Sequence, residues 1–540
     1  MMRSHVVVGL VALGILAAGF AYAGDWSQWR GPLRNGVAPQ SPPLIDAFPE
    51  GGPKRVWEND AVPGHNAGGY GCVSVSGDRA CVFVHHRYDE PIEKRVLTGN
   101  ALIQLGWVTD MPAELSAAVE TARVSEERTN LKDWRKLNAW LNEWVKANVK
   151  QEHRRFQGAA QARLRAGKDA VAFDLLPKLD TIKDKEFAGQ AELDAWFAAN
   201  AVDDANMKLI MKVIPTTQRA ARDLVYGLDA RTGTTVWKKE MPGEWMWYPA
   251  STTPCISGGR CYVLSSEAHV HCYDLADGTE IWKSKLLGAE RNWHNRSSSI
   301  LLAEGLVVVL TESALSALDA ATGEVVWTQK KVRGEEASAV PWTADGKTCI
   351  ILHAEKTVYC LELKTGEVVW TAPGGVEAGS STPVIDGDVM VFCGGDDKLG
   401  LTAYRLSPEK AEPLWNVPFK ERHASPVIHD GYVYAIGGAN ATYGDREKGR
   451  VLCVELKTGK VAWDEVIGRG PELSSPVIAD GKLIAVVGTS LYLIKADPAG
   501  YRLLGKADLR LAPWASPAFS DGKLYLRGVK GVVCCDLTRP

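Results

Sequence analysis

The sequence predicts an all-β fold, an eight-bladed β-propeller of four-stranded blades with a helical insert in the first blade. Three observations lead there: a recurring Gly…Trp strand ending, a recurring Pro-containing strand opening, and one block whose apolar residues change to helical spacing.

Five segments share the ending: DARTGTTVW (229–237), LADGTEIW (275–282), AATGEVVW (320–327), LKTGEVVW (363–370) and LKTGKVAW (456–463). In each, Gly precedes Trp by four residues, and successive Trp residues from Trp237 through Trp415 to Trp463 fall 43–48 apart. A period of that size, made of short β-rich segments, marks a propeller blade. The openings SSTPVIDG (380–387), ASPVIHDG (424–431) and ASPAFSDG (515–522) supply a first strand and a tight turn. Asp-Gly suits the positive-φ positions of a two-residue hairpin loop, and Pro costs no ladder bond at a sheet edge. Openings place blade starts near Gly71, Ser251, Ser297, Ser338, Ser380, Ala424, Ser474 and Ala515.

In chain order, residues 1–23 read as a secretory signal peptide: one Arg, an apolar run, then Ala21-Tyr22-Ala23 ahead of Gly24. The mature protein is therefore expected in the periplasm or outside the cell. No Cys follows the run, so no lipid anchor is expected, and no later stretch is apolar enough to span a bilayer. Residues 24–52 form a lead-in, and 53–87 hold a closing strand and the start of blade one. The last repeat ends near Leu537 without a fourth strand, whereas KRVWE (54–58) looks like one. The strand around Trp57 is expected to complete the last blade and remove an open edge. Residues 88–221 are the insert, where Leu131, Trp134, Leu137, Leu141, Trp144 and Val145 recur at helical spacing. AELDAWFAANAV (191–202) and NMKLIMKVI (206–214) read likewise. Residues 222–537 complete the propeller; the fifth blade keeps Trp415 without the Thr-Gly turn, and the seventh lacks the Trp. Trp57, Trp237, Trp282, Trp327, Trp370, Trp415 and Trp463 are expected to pack against neighbouring blades.

The repeated Thr-Gly-x-x-x-Trp ending resembles the tryptophan-docking motif of pyrroloquinoline-quinone (PQQ) type propellers. That group includes PQQ-dependent alcohol dehydrogenases and the propeller subunit of the outer-membrane β-barrel assembly machine. DWSQWRGPLRNGVAP (25–39) is similar to the lead-in of exported bacterial PQQ-like repeat proteins. The resemblance covers about residues 53–87 and 222–537 and specifies fold better than function. For the enzymes it implies PQQ held with calcium by a cage of Glu, Asn and Asp; that set finds no residue-by-residue match here.

Candidate site residues lie in the loops between blades: Trp245, Trp247 and Tyr248; Arg291, Asn292, Trp293, His294, Asn295 and Arg296; Glu421, Arg422 and His423; Glu472; and Trp514. His65, Asn66, Tyr70, His85 and His86 join them at blade one. In an up-and-down blade these loops emerge on the same face as the insert, which is expected to form a partial lid. An aromatic and cationic mouth suits a planar anionic ligand, a sugar or a peptide; packing of the insert and filling of loop space is the favoured reading of the same residues.

No metal is expected at His85-His86, because adjacent strand residues point to opposite faces. Cys534 and Cys535 fall in slots held elsewhere by small or aliphatic strand residues, so a vicinal disulfide is not expected. Cys261/Cys272 and Cys349/Cys360 share one separation across a hairpin and are expected opposite one another, with free thiols favoured over bonds. The formal charge of −3 argues against nucleic acid or anionic membrane as the main partner. CxxCH, Walker, GxSxG and HExxH patterns are absent. The leading expectation is a monomeric, non-catalytic binding or assembly scaffold without a cofactor, recognising a protein, small molecule or glycan. A PQQ-dependent oxidoreductase of alcohols or sugars and a polysaccharide-binding module are the alternatives.

Overall fold

The computed structural model describes residues 24–64, 68–288, 296–334, 336–375, 381–395, 398–421, 423–437, 449–468, 474–511 and 514–540. The described chain divides into two compact units, Asp89–Arg219 and the remainder. Among the described residues no helix is long and apolar enough to cross a membrane.

Among its described residues the larger unit holds eight sheets of four antiparallel strands, one of these gaining a fifth, parallel strand. Most are meanders of short consecutive strands, as in Cys255–Ser257, Arg260–Leu264, Val270–Asp274 and Glu280–Lys283. The middle strands are apolar on both faces: Leu306–Leu310 reads LVVVL and is buried along most of its length. That pattern follows from sheets stacked face to face. The turn at Asp480-Gly481 has φ of 47° and 62°, the conformation a tight hairpin demands.

Lys54–Asn59 pairs antiparallel with Val532–Asp536, Trp57 opposite Cys534, so a strand from the start of the chain completes the last sheet. In the first sheet, the strands Arg79–Pro91 and Thr217–Asp229 carry the chain out to the second unit and back.

Each fourth-strand Trp reaches the next sheet. Trp57 Nε1 donates to Ala230 O (3.0 Å), Trp237 to Leu275 O (3.0 Å), Trp282 to Ala320 O (3.2 Å) and Trp327 to Leu363 O (2.9 Å). Trp370 donates to Ser407 O (3.1 Å), Trp415 to Leu456 O (2.8 Å) and Trp463 to Asp497 O (2.8 Å). The indole covers the Gly of the neighbouring turn: a Cβ on Gly233, at φ +73°, would stand 2.4 Å from the Trp57 ring. Opposite these Trp residues in the third strand stand Cys534, Gly227, Cys272, Ala317, Cys360, Ala403 and Cys453. The large indole leaves room only for a small partner, which explains why so many cysteines occupy one repeat position.

The first strands are joined by a belt of hydrogen bonds. The Cys72 N–H donates to Thr253 Oγ1, Thr253 to Ser299 Oγ, Ser299 to Ser338 Oγ and Ser338 to Thr382 Oγ1. Thr382 continues to Ser425, Ser425 to Ser475 and Ser475 to Ser516, all within 2.8–2.9 Å. The Ser516 backbone then bonds the Cys72 sulfur and closes the cycle. Thr253, Thr382, Ser425, Ser475 and Ser516, each followed by Pro, and Ser299 and Ser338, which are not, are thus cross-sheet connectors.

The lead-in runs across the first strands. Trp26 pairs with Val75, Ser27 O accepts the Ile256 N–H (2.7 Å), and Gly36 O accepts the Ile478 N–H (2.8 Å). Val37–Ala38 then adds a parallel strand to Ile478–Ala479.

The smaller unit is helical, with helices including Gly99–Leu105, Ala113–Arg123, Trp134–Asn148, Gln157–Ala166, Gln190–Ala199 and Asp204–Met211. Thr98, Ser125, Asp133 and Asp203 cap helix starts through their side chains. Leu141 and Val145 are buried as their spacing implies, but Trp134 is 66% exposed at the first turn, and Leu131 lies outside the helix, capping the preceding one. The apolar stripe is therefore shorter than expected.

The cysteine pairs also depart from expectation. Cys261 lies opposite Tyr273, and Cys272 opposite Tyr262, so the two thiols project from opposite faces. Cys349 lies opposite Glu362 and Cys360 opposite Ile351, two positions out of register on one face. All eleven cysteines are free. Equal sequence separation does not imply equal register, because the two hairpin turns differ in length.

Candidate functional site

Sequence reasoning pointed to the loops between sheets. After the strand Thr235–Gly243, Met246 is buried and anchors its loop, while Trp247 is 60% exposed. Arg87 Nη1 donates to the carbonyls of Met246 (3.2 Å) and Trp247 (2.7 Å), holding the backbone that displays the indole. Trp245 and Trp247 meet edge to face at 5.3 Å. Tyr248 approaches Trp514 at 6.4 Å, and Trp514 approaches Tyr70 at 4.6 Å, so loops distant in sequence contribute to one aromatic cluster.

The other candidates divide. Arg296 is buried and clamps Glu312 through two bonds of 3.0 and 2.7 Å, with a further bond to Ser266 O; it ties neighbouring sheets together. His423 Nδ1 stands 3.6 Å from Glu336 Oε2. Glu421 is buried and accepts the N–H groups of His423 (2.8 Å) and Ala424 (3.0 Å). His65, Asn66, Arg291, Asn292, Trp293, His294, Asn295, Arg422 and Glu472 lie outside the described residues.

His85 and His86 do diverge. His85 is wholly buried with Nδ1 2.8 Å from Asp223 Oδ1, whose other oxygen accepts the Ser266 N–H at 2.6 Å. His86 stacks on Tyr88 at 5.5 Å, and burial holds its pKa below the ordinary value. The His85–Asp223 pair carried no sequence signal: its members are separated by the whole helical unit.

A second arrangement was hidden in the lead-in. Arg30 and Arg34 are both essentially inaccessible, at 2% and 1% exposure. Arg34 donates to Ile300 O (2.6 Å), Ser299 O (3.2 Å) and Gln28 Oε1 (3.0 Å). Arg30 bonds Asn35 O (2.9 Å) and Pro426 O, and Trp29 Nε1 reaches Thr382 Oγ1 (3.4 Å). Burial brings the Arg30 pKa down to about 9 and that of Arg34 to about 10; each guanidinium stays charged at neutral pH. The adjacent thiols are neutral, since burial pushes Cys72 up to about 11 and Cys255 up to about 12. Two basic residues in a Gly- and Pro-rich lead-in read as surface until the fold buries them.

A PQQ–calcium centre asks for clustered oxygen ligands on the cation. Among the described residues no three His, Cys, Asp or Glu side chains converge on a point. The ionisable groups gathered by the lead-in are guanidiniums and neutral thiols, a donor set that does not fit calcium.

The family model described as outer membrane protein assembly factor BamB matches residues 221–465 and 311–509, together more than half of the chain. Solved structures similar to it include BamB from Moraxella catarrhalis, at 17% identity and TM-score 0.45, covering 58% of this chain and 90% of that one. A europium-containing methanol dehydrogenase is 13% identical, with TM-score 0.42 and coverage of 56% and 78%. The quinohemoprotein alcohol dehydrogenase of Comamonas testosteroni is 13% identical, with TM-score 0.41 and coverage of 59% and 72%. No curated protein matches.

Proposed function

The chain belongs to the family of the outer membrane protein assembly factor BamB, a PQQ-like propeller family, and on that premise we propose that it is an exported, eight-bladed propeller acting as a non-catalytic binding scaffold. Its partner is a protein of the cell envelope, engaged by the aromatic loops that carry Trp245, Trp247, Tyr248 and Trp514. The observation that supports this reading is Trp247, displayed to solvent on a backbone that Arg87 and buried Met246 hold in place. A rigid, exposed aromatic residue loses little conformational entropy on binding, and such residues anchor protein interfaces.

The test places a photo-crosslinking amino acid at position 247 in the protein expressed in cells with an outer membrane. A discrete cross-linked product, weakened when Trp245→Ala and Tyr248→Ala are added, is expected. Absence of any product overturns the reading. So does the enzymatic outcome, in which purified protein given PQQ and calcium retains quinone absorbance through gel filtration and reduces a dye with alcohols.

A further inference from the structure

The lead-in places two guanidiniums where the first strands of the sheets come together. Arg34 bonds the carbonyls of Ser299 and Ile300, and Arg30 that of Pro426, each at or next to a residue of the Ser/Thr belt. The two charges lie close enough for Arg34 to disfavour the charge on Arg30. Among the described residues neither forms an ion pair with a carboxylate. The surrounding carbonyls and hydroxyls satisfy only part of each fork: Arg30 Nε and Nη1 and Arg34 Nε are buried without an acceptor.

That arrangement is costly as it stands. A buried donor without an acceptor has lost its hydrogen bond to water with nothing in return, and the loss is greater when the donor is charged. Removing a charge from water is compensated only by a good counter-charge. The nearby thiols do not provide one, because burial keeps Cys72, Cys255 and Cys393 protonated. Glu421, the buried carboxylate that acts on Cys393, is engaged with the backbone of His423 and Ala424.

We propose that Arg30 and Arg34 form a binding site for a small oxyanion of the carboxylate, phosphate or sulfate class, held beneath the belt by the unsatisfied guanidinium N–H groups. A water molecule would satisfy the orphaned donors but not the two like charges; an oxyanion does both, and its geometry matches a planar guanidinium fork. The site is independent of the aromatic loops.

The experiment uses the full mature protein. Its unfolding midpoint is followed while sodium chloride is replaced at constant ionic strength by sodium phosphate, sulfate or acetate, and crystals are soaked in selenate. The expected result is a saturable rise in midpoint for at least one oxyanion and an anomalous selenium peak within hydrogen-bonding distance of Arg30 or Arg34. The arms identify which oxyanion class is preferred. Arg30→Gln is expected to raise the half-saturating concentration at least tenfold, while Arg405→Gln, at an exposed position, leaves it unchanged. A rise that never saturates or is equal in Arg30→Gln overturns the proposal. Should Arg30→Gln fail to fold, the wild-type crystals decide, and no selenium peak at either arginine overturns it.

Discussion

Phe48 lies against Gly505: a Cβ at position 505 would stand 2.6 Å from the Phe48 ring. Gly505 sits opposite Leu493 in the seventh sheet, at the ladder position that Trp463 holds opposite Cys453 in the sixth. The sheet without a docking Trp thus takes an aromatic ring from the lead-in. Phe48→Ala should lower stability by about 2 kcal/mol, below the usual cost for a fully buried Phe because the ring is only partly buried. Phe48→Leu should restore part of that loss in urea unfolding. Equal midpoints for wild type and Phe48→Ala would refute the assignment.

Trp57 joins the two ends of the repeat array through Ala230 O and the Gly233 turn. Trp57→Ala should cost about 3–5 kcal/mol, the range for truncating a large buried aromatic. Gly233→Ala should be destabilising for two reasons at one atom: the positive φ and the Trp57 ring. A Gly233→Ala protein as stable as wild type would show that the indole does not dock there.

Cys72 is the single thiol in a belt otherwise made of Ser and Thr. Cys72→Ser should therefore be tolerated within about 1 kcal/mol, because a hydroxyl accepts the Ser516 N–H as well as sulfur does. Cys72→Val removes the acceptor and should cost about 1–3 kcal/mol. Identical unfolding midpoints for the two variants would dismiss the belt as a source of stability.

Burial holds His353 and His271 below their ordinary pKa, partly offset at His271 by Glu280. The folded protein therefore binds fewer protons than the unfolded chain once pH falls below about 6.5. Stability rises with pH wherever the unfolded state binds more protons, so it is full above that value and declines as pH drops toward the folded-state pKa. His353→Gln should flatten the decline measured by thermal unfolding between about pH 7 and pH 5. A slope unchanged in the variant would remove His353 from the account.

The sheets and their Trp residues were legible because a repeat reports the same environment many times. A Gly four residues before Trp, or Ser-Pro before an apolar triplet, is a local requirement of turn geometry and strand pairing. Other features have no local cause. Register in the Cys261/Cys272 hairpin depends on its own turn, and Trp134 is exposed because the apolar stripe begins a turn later than its spacing implied. Arg296, expected to face a ligand, is buried against the carboxylate of Glu312, in the turn between the strands Leu306–Leu310 and Leu315–Asp319.

By itself the sequence determined the all-β repeat architecture, the strand that pairs Trp57 with the last repeat, and the helical character of the insert. Only the tertiary structure decided that Phe48 substitutes for a missing indole, that Ser and Thr openings link into a belt, and that Arg30 and Arg34 are buried together. The physical reason is the range of the interactions. Turn and strand preferences act over a few residues, whereas the burial of a guanidinium depends on strands hundreds of positions away being brought to the same place.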